Sequence, residues 1–292
     1  MTQKTTTVTR FAPSPTGPLH LGHAYSALLS NEVAQKSKGR FLLRIEDIDQ
    51  SRARPEWERQ IYEDLHWLGL DWEHPVLRQS DNRENYTKAL EQLWDLGVLY
   101  RCTCQRKDIE NALSAPQEGV PTHGPDGLIY PGTCRVSGRK GGDEPLPKDA
   151  VLRLDMERAV TLTGDLEFLE TGIGPFGETG VIRLAVPQVI RASGDIIVAR
   201  KDMGTSYHLS VTVDDAAQGI THVTRGQDLF EATQIHRVLQ ALLELPQPTY
   251  HHHRLIRDDQ GKRLAKRDDA RAISTYRKQG QTPADLRRML GF

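Results

Sequence analysis

The chain has 292 residues, 37% of them hydrophobic, with 38 Lys and Arg against 39 Asp and Glu for a formal net charge of −1. That length suits about two domains, or one domain carrying a large insertion. No run approaches the roughly 20 apolar residues that a membrane span needs, three cysteines argue against a disulfide framework, and the near-zero net charge excludes a polyanion binder acting through bulk charge.

In chain order, "TTVTRFAP" reads as a strand rich in β-branched residues, stopped by Pro13 and Pro15. From Leu21 to about Lys36 the apolar spacing is that of a helix. "GRFLLRIED" follows as a strand with a near-continuous apolar run, as expected when both faces are covered. "RPEWERQIYEDLHWLG" and "NRENYTKALEQLWDLG" are amphipathic helices, with Pro55 suited to a first turn and Gly69 and Gly97 to C-terminal caps. Strand and helix alternate as in a parallel sheet. The rhythm breaks after Tyr100: residues 114–149 hold 6 prolines and 7 glycines, too many for regular elements. Short strand-like stretches follow in "AVLRLDM", "GVIRLAV" and "DIIVARKD". Alternation returns with "TSYHLSVTVDDAAQGITHVTRG" and the helix "EATQIHRVLQALLEL". The expectation is a split α/β domain interrupted by an inserted module between about residues 100 and 200.

Charge is unevenly spread. Residues 254–292 carry 11 Lys/Arg and 5 Asp/Glu, a net of +6 that leaves −7 on the remainder. A basic tail on an acidic body suggests a local anion site. A second hint is "GPLHLGH", at the turn from first strand to first helix. Helix N-termini offer unpaired N–H groups and bind anions readily. His20 and His23 are three apart and share a helical face, and Gly22 would let a flat ring approach the backbone. "GKRLAKRDD" supplies Lys262 and Lys266, ammonium groups on flexible stems suited to following a phosphate. All three cysteines, Cys102, Cys104 and Cys134, fall within 33 residues, which points to a tetrahedral Zn²⁺ site. Chemistry alone favours His123 as the fourth ligand of a Cys₃His set.

Taken together, "HLGH" and "KRLAK" resemble the HIGH and KMSKS signatures of class I aminoacyl-tRNA synthetases. "RFAPSPTGPLHLGHA", "RIEDID", "VDDAAQGITHVTRGQDL" and "YHHHRLIRDDQGKRLAKR" look like the glutamyl branch, and the resemblance runs from Arg10 to about Arg267. The chain ends 26 residues after Lys266, where glutamyl-tRNA synthetases continue into a helical anticodon-binding domain. A core without that domain resembles the glutamyl-queuosine tRNA(Asp) synthetase family. The resemblance implies a Rossmann-like nucleotide-binding domain split into residues 1–100 and 201–253, an inserted zinc-containing α+β module at 101–200 that contacts tRNA, and a KMSKS-like loop with a basic tail at 254–292. It implies activation of L-glutamate with ATP and Mg²⁺, then transfer to the queuosine base in the anticodon of tRNA(Asp). The alternatives are a trimmed glutamyl-tRNA synthetase charging tRNA(Glu) and a non-catalytic RNA-binding paralogue. A cytoplasmic monomer that makes no membrane contact is expected, since "MTQKTTTVTR" has no apolar export core.

Residue roles follow from the same resemblance. Arg10 and Arg225 would grip the glutamate side-chain carboxylate, each guanidinium through two bonds. Glu46 would accept from the substrate ammonium, Tyr207 would bond the glutamate, and Phe11, Ala12, Pro13 and Ser14 would frame its pocket. Asp47 and Asp49 are expected to be structural. ATP would meet His20, Gly22, His23, Lys262 and Lys266, with His20, His23 and Lys266 as the catalytic groups. Ala265 stands where the signature has serine, Leu264 where it has methionine. The pattern Y-x₃-C favours Tyr130 as the fourth zinc ligand, beside Cys102, Cys104 and Cys134. His252 matches a family histidine, with a structural role equally open. Lys262, Arg263, Lys266, Arg267, Arg271 and Arg277 form a patch for an RNA stem-loop.

Overall fold

The computed structural model describes residues 6–113, 122–125, 127–138, 144–257 and 271–292. Strand β1 (Val8–Phe11) is buried along its whole length and leads through the Pro13–Pro18 turn into α1 (Leu21–Lys36). Strand β2 (Arg40–Ile45) returns parallel to β1 in the register Val8 with Arg40 and Phe11 with Leu43. Helix α2 (Pro55–Trp67) starts on a proline that lacks the N–H a first turn leaves unpaired. It leads to β3 (Glu73–Arg78), which adds to the far side of β2. Helix α3 (Arg83–Asp95) follows. Gly69 and Gly97 have φ of 76° and 67°, the left-handed geometry that ends α2 and α3 as their positions predict.

Residues 99–199 build a separate antiparallel sheet. It comprises β4 (Leu99–Cys102), β7 (Val151–Leu154) and β10 (Ile197–Ala199), in the order β10-β7-β4. Around it lie α4 (Arg106–Leu113), the short ladder of β5 (His123–Gly124) with β6 (Gly127–Leu128), α5 (Met156–Thr163) and α6 (Val186–Ser193). The insertion is not self-contained. Strand β8 (Leu166–Glu170) pairs parallel with β12 (Thr249–His253) through Glu170 and Tyr250, and β9 (Gly180–Leu184) closes the edge antiparallel to β8. Part of the predicted inserted module therefore widens the main sheet.

The second half supplies α7 (Tyr207–Ala217), β11 (His222–Gly226), α8 (Ala232–Leu242) and β12, with β11 and β12 parallel. Strand β11 runs beside β1: Thr221 N–H donates to the Val8 carbonyl at 2.9 Å, and the Val8 N–H to Thr221 Oγ1 at 2.8 Å. From β1 the chain winds out to β2 and β3 on one side. It later resumes on the other side with β11, β12 and β8. That reversal creates a crevice beyond the carboxyl ends of β1 and β11, the place where open α/β sheets bind ligands. Helices α9 (Ile273–Lys278) and α10 (Pro283–Leu290) pack Ile273, Leu286 and Leu290 into the core formed by β1, α1, β2 and α2. A second core joins α3, α5, α7, α8, β7 and β8. Among the described residues no helix is long and apolar enough to cross a membrane.

Candidate active site

The crevice is a cleft of about 430 Å³. Arg10, Phe11, Ala12, Pro13, Ser14, His20, Gly22, His23, Glu46, Tyr207 and Arg225 all line it, joined by Ser26, Thr224, Asp228, His253, Leu255 and Ile256. Every glutamate-site residue singled out from the sequence thus borders one space. Lys262, Arg263, Leu264, Ala265, Lys266 and Arg267 lie outside the described residues. The chain on either side of them can be followed. Leu255 and Ile256 line the cleft. Ala272 forms an antiparallel bridge with His20, and Ile273 N–H donates to the Leu19 carbonyl at 2.8 Å. The described chain thus borders the cleft at Leu255 and Ile256 and meets the start of α1 again at Ala272.

The entry of α1 sets the two imidazoles. His20 is the N-cap, its Nδ1 accepting from Gly22 N–H at 3.1 Å, and His23 Nδ1 accepts from the His20 N–H at 3.2 Å. This reciprocal cap uses rings where Ser and Glu usually serve. A neutral imidazole that accepts on Nδ1 carries its proton on Nε2, so each ring has Nε2–H as its donor, with centroids 3.8 Å apart. A Cβ on Gly22 would come within 3.0 Å of His20 Cε1. The glycine thus makes room for the His20 ring itself.

The two guanidiniums are not equivalent. Arg10, 7% exposed, gives Nε and Nη2 to Asp215 at 2.9 and 3.3 Å, and Nη1 to the Thr224 carbonyl at 3.4 Å. It carries its own counterion, so its Nε and Nη2 edge faces Asp215. Arg44, fully buried, donates to the same Asp215 at 2.7 Å and to Glu46 at 3.1 Å. Burial pushes the Asp215 carboxyl up, but Arg10 and Arg44 outweigh it and hold it below the usual carboxylate range. At Glu46 desolvation wins over the same two arginines and raises it. An arriving ammonium would favour its charged form. Arg225, 6% exposed, bonds instead to neutral groups: Nε to His252 Nε2 at 3.1 Å, Nη1 to His236 Nδ1 at 3.1 Å, and Nη2 to Thr233 Oγ1 at 2.6 Å. Burial, with Arg225 nearby, drives His236 well below the ordinary histidine value and brings His252 to about 4 even though Glu170 opposes the shift. Among the described residues no carboxylate lies within salt-bridge distance of Arg225. Asp47 sits outside the cleft, binding the Ser80 N–H and hydroxyl, and Asp49 caps an exposed turn with Ser51. Both agree with a structural role.

Sequence reading missed Arg44, Asp215, Glu170 and His236. Arg44 had a signal: an arginine inside a strand read as covered on both faces requires a buried partner.

In the antiparallel unit Cys102, Cys104 and Cys134 bring their sulfurs within 4.8 Å of one another, and Cys104 and Cys134 are 3.5 Å apart. That spacing suits thiolates sharing one tetrahedral ion at about 2.3 Å each. The Tyr130 hydroxyl lies 3.3 Å from Cys104 Sγ and accepts from the Cys134 N–H at 2.8 Å. His123 is exposed and bonded to Thr122, outside the group. Burial raises the Cys134 thiol, but hydrogen bonds from Tyr130, Thr103 and Cys104 overcome it and bring Cys134 down to about 6. Arg153 covers the Tyr130 ring at 3.8 Å and donates to Cys102 Sγ at 3.3 Å, so a cation backs the sulfur cluster. The donor set fits a metal ion. Of the basic residues assigned to RNA, Arg271 is exposed, while Arg277 pairs with Glu63 and Asp64 of α2 at 3.7 and 3.6 Å.

Comparison with known proteins gives a consistent result. The family model for class I tRNA synthetases (E and Q), catalytic domain, matches residues 6–125 and 180–292. A glutamyl-Q tRNA(Asp) synthetase of Rhodobacter capsulatus is 61% identical over 285 residues, covering 98% of this chain and 100% of that protein. The protein of the same description from Nocardia farcinica is 38% identical, covering 96% and 82%. Among solved structures, a glutamate-tRNA synthetase from Elizabethkingia anophelis superposes with a TM-score of 0.75 at 24% identity, over 98% of this chain but 61% of that one.

Proposed function

The chain belongs to the glutamyl-Q tRNA(Asp) synthetases, within the class I tRNA synthetases for glutamate and glutamine, and from that premise we propose that it activates L-glutamate with ATP and transfers it to queuosine in tRNA(Asp). The observation that carries this reading is the single cleft at the switch point. There a helix N-terminus with two Nε2–H imidazoles stands beside a buried guanidinium whose hydrogen-bond partners among the described residues are neutral.

Glutamate lies with its side-chain carboxylate on Arg225 and its ammonium toward Glu46, Tyr207 closing the wall. Arg10 completes the pocket, held in place by Asp215. ATP, with Mg²⁺ as its counterion, would place its phosphates over His20, Gly22 and His23, and the sequence motif assigns Lys262 and Lys266 to the same phosphates. The glutamate α-carboxylate attacks the α-phosphorus in line, pyrophosphate leaves, and glutamyl-adenylate remains. Positioning and charge neutralisation account for such a step, so no enzyme nucleophile is needed. A hydroxyl of the queuosine cyclopentenediol then attacks the acyl carbonyl and releases AMP.

Cys102, Cys104 and Cys134, with Tyr130 as fourth ligand, would hold Zn²⁺ in a structural role, because four protein ligands would leave no open position. Residues 101–200 and the basic tail hold the anticodon stem-loop. The test is glutamate-dependent exchange of pyrophosphate into ATP without tRNA, followed by transfer of labelled glutamate to tRNA(Asp) with and without queuosine. Exchange with transfer only to the queuosine form supports the reading. Transfer to tRNA(Glu), or no exchange, overturns it.

A further inference from the structure

Arg225 is oriented from behind. A guanidinium can only donate, so the imidazole nitrogens facing it, His252 Nε2 and His236 Nδ1, are both acceptors. Each ring then carries its proton on the far nitrogen. For His236 that proton, on Nε2, goes to His208 Nδ1 at 3.1 Å. For His252 it sits on Nδ1, 2.5 Å from Glu170 Oε2. Glu170 is itself fixed, its Oε1 accepting from the His252 and Gly172 N–H groups at 2.8 and 2.7 Å. The side chains of Glu170 and His252 are both 0% exposed. A carboxylate in direct contact with Arg225 would orient it equally well but would cancel its charge. An imidazole placed between them passes on the orientation and leaves the charge.

We propose that Glu170 and His252 are positioning residues. The carboxylate locks His252 in its Nδ1–H tautomer, and the Nε2 lone pair so exposed fixes the Arg225 guanidinium for an incoming carboxylate. This rests on the reading of Arg225 as the anion-binding arm of the cleft. It also gives the inserted stretch a task in amino-acid selection, since Glu170 ends β8 whereas Arg225 and His252 belong to β11 and β12.

Glu170→Gln isolates the tautomer. The glutamine oxygen can still accept from the two backbone N–H groups. Its NH₂ then faces His252 Nδ1, which must become an acceptor. The ring proton moves to Nε2 and opposes the Arg225 Nε–H, donor against donor. In protein carrying ¹⁵N-labelled histidine, with the His252 signals identified by their loss in His252→Gln, the long-range ¹H–¹⁵N spectrum is expected to show Nδ1–H in the parent and Nε2–H in Glu170→Gln. In the exchange assay Glu170→Gln is expected to raise the KM for glutamate about 10- to 100-fold, the worth of a hydrogen bond to a charged group, with the KM for ATP unchanged. The double variant Glu170→Gln/His252→Gln places an amide oxygen where Nε2 was, an acceptor that needs no tautomer, and is expected to recover most of the loss. An Nε2–H tautomer in the parent overturns the proposal. So does an unchanged glutamate KM in folded Glu170→Gln, or a KM for ATP that rises in step. Parent protein without any exchange sinks the functional reading instead, and the spectrum still decides the tautomer lock.

Discussion

Replacing Asp215 by asparagine removes one negative charge from between two buried arginines and changes little else in shape. The carboxylate accepts from Arg10 at 2.9 and 3.3 Å and from Arg44 at 2.7 Å. Breaking a buried ion pair by deleting one partner costs about 3–5 kcal/mol. The lower end applies here, because asparagine keeps an acceptor oxygen, Glu46 stays 3.1 Å from Arg44, and Asp214 stays 3.7 Å away. An unfolding entropy of about 2.1 cal/mol/K per residue makes a loss of roughly 3 kcal/mol a fall in Tm of about 5 °C for a chain this long. The pH dependence carries a sign. Asp215 has its carboxyl held below the ordinary value in the folded protein. The stability it contributes is therefore fully present above about pH 4 and lost only as the pH falls through the lowered value. Thermal melts of both proteins across that range check this. A fall in Tm under about 1 °C at pH 7, or a gap that widens as the pH drops below 4, would refute the reasoning.

Further outcomes follow from the same geometry. His23→Ala is expected to lower kcat for pyrophosphate exchange by about 10²- to 10³-fold, the cost of one donor to developing charge, with the KM for glutamate little changed. Cys134→Ser is expected to abolish bound zinc, measured by elemental analysis of the purified protein, and to lower Tm. Tyr130→Phe should weaken retention against a chelator while leaving the three sulfurs in place. Burial lifts Asp64 to about 6, only partly offset by Arg277 and the nearby Gln60 side chain, and among the described residues neither carboxylate oxygen has a partner of good hydrogen-bond geometry. A carboxyl raised in the folded state gains stability as pH falls through that value toward its unfolded one. Asp64→Asn is therefore expected to raise Tm by a few degrees at pH 8 and by almost nothing near pH 4, in melts run at both pH values.

What could be read in advance was what local chemistry dictates. Helix α1, the two glycine caps and the strands in "AVLRLDM", "GVIRLAV" and "DIIVARKD" follow from residues near one another in the chain. Strand β12 did not, because "TYHHH" has no apolar alternation, yet Tyr250, His252 and His253 are buried. Its histidines are there for their ring nitrogens, so the pattern that would reveal a strand is absent. Strand β8 hides in the same way, with Glu170 at an inward position that an ordinary strand would give to an apolar residue. The network behind the cleft was illegible for a different reason. Arg10 and Asp215 are 205 residues apart, Arg44 and Asp215 171, and Glu170 and His252 82, and no periodicity spans such distances.

The motifs nonetheless left a question that only the side-chain partners answer: why a site for one dianionic amino acid should hold two arginines. Two uncompensated guanidiniums buried side by side would repel each other and carry a desolvation cost with no partner to offset it until substrate arrived. The chain divides the task. Arg10 is neutralised by Asp215, which Arg44 in turn holds ionised, so Arg10 contributes donors in a fixed place at little net charge. Arg225 keeps its charge, because the groups around it are imidazoles that burial and its own field hold neutral. On the proposed placement of the substrate carboxylate at Arg225, discrimination between a carboxylate and an amide would rest on a single guanidinium. A ligand with a neutral side chain would leave that charge buried and unanswered, and under this proposal that penalty, more than any added attraction for the right ligand, would exclude it.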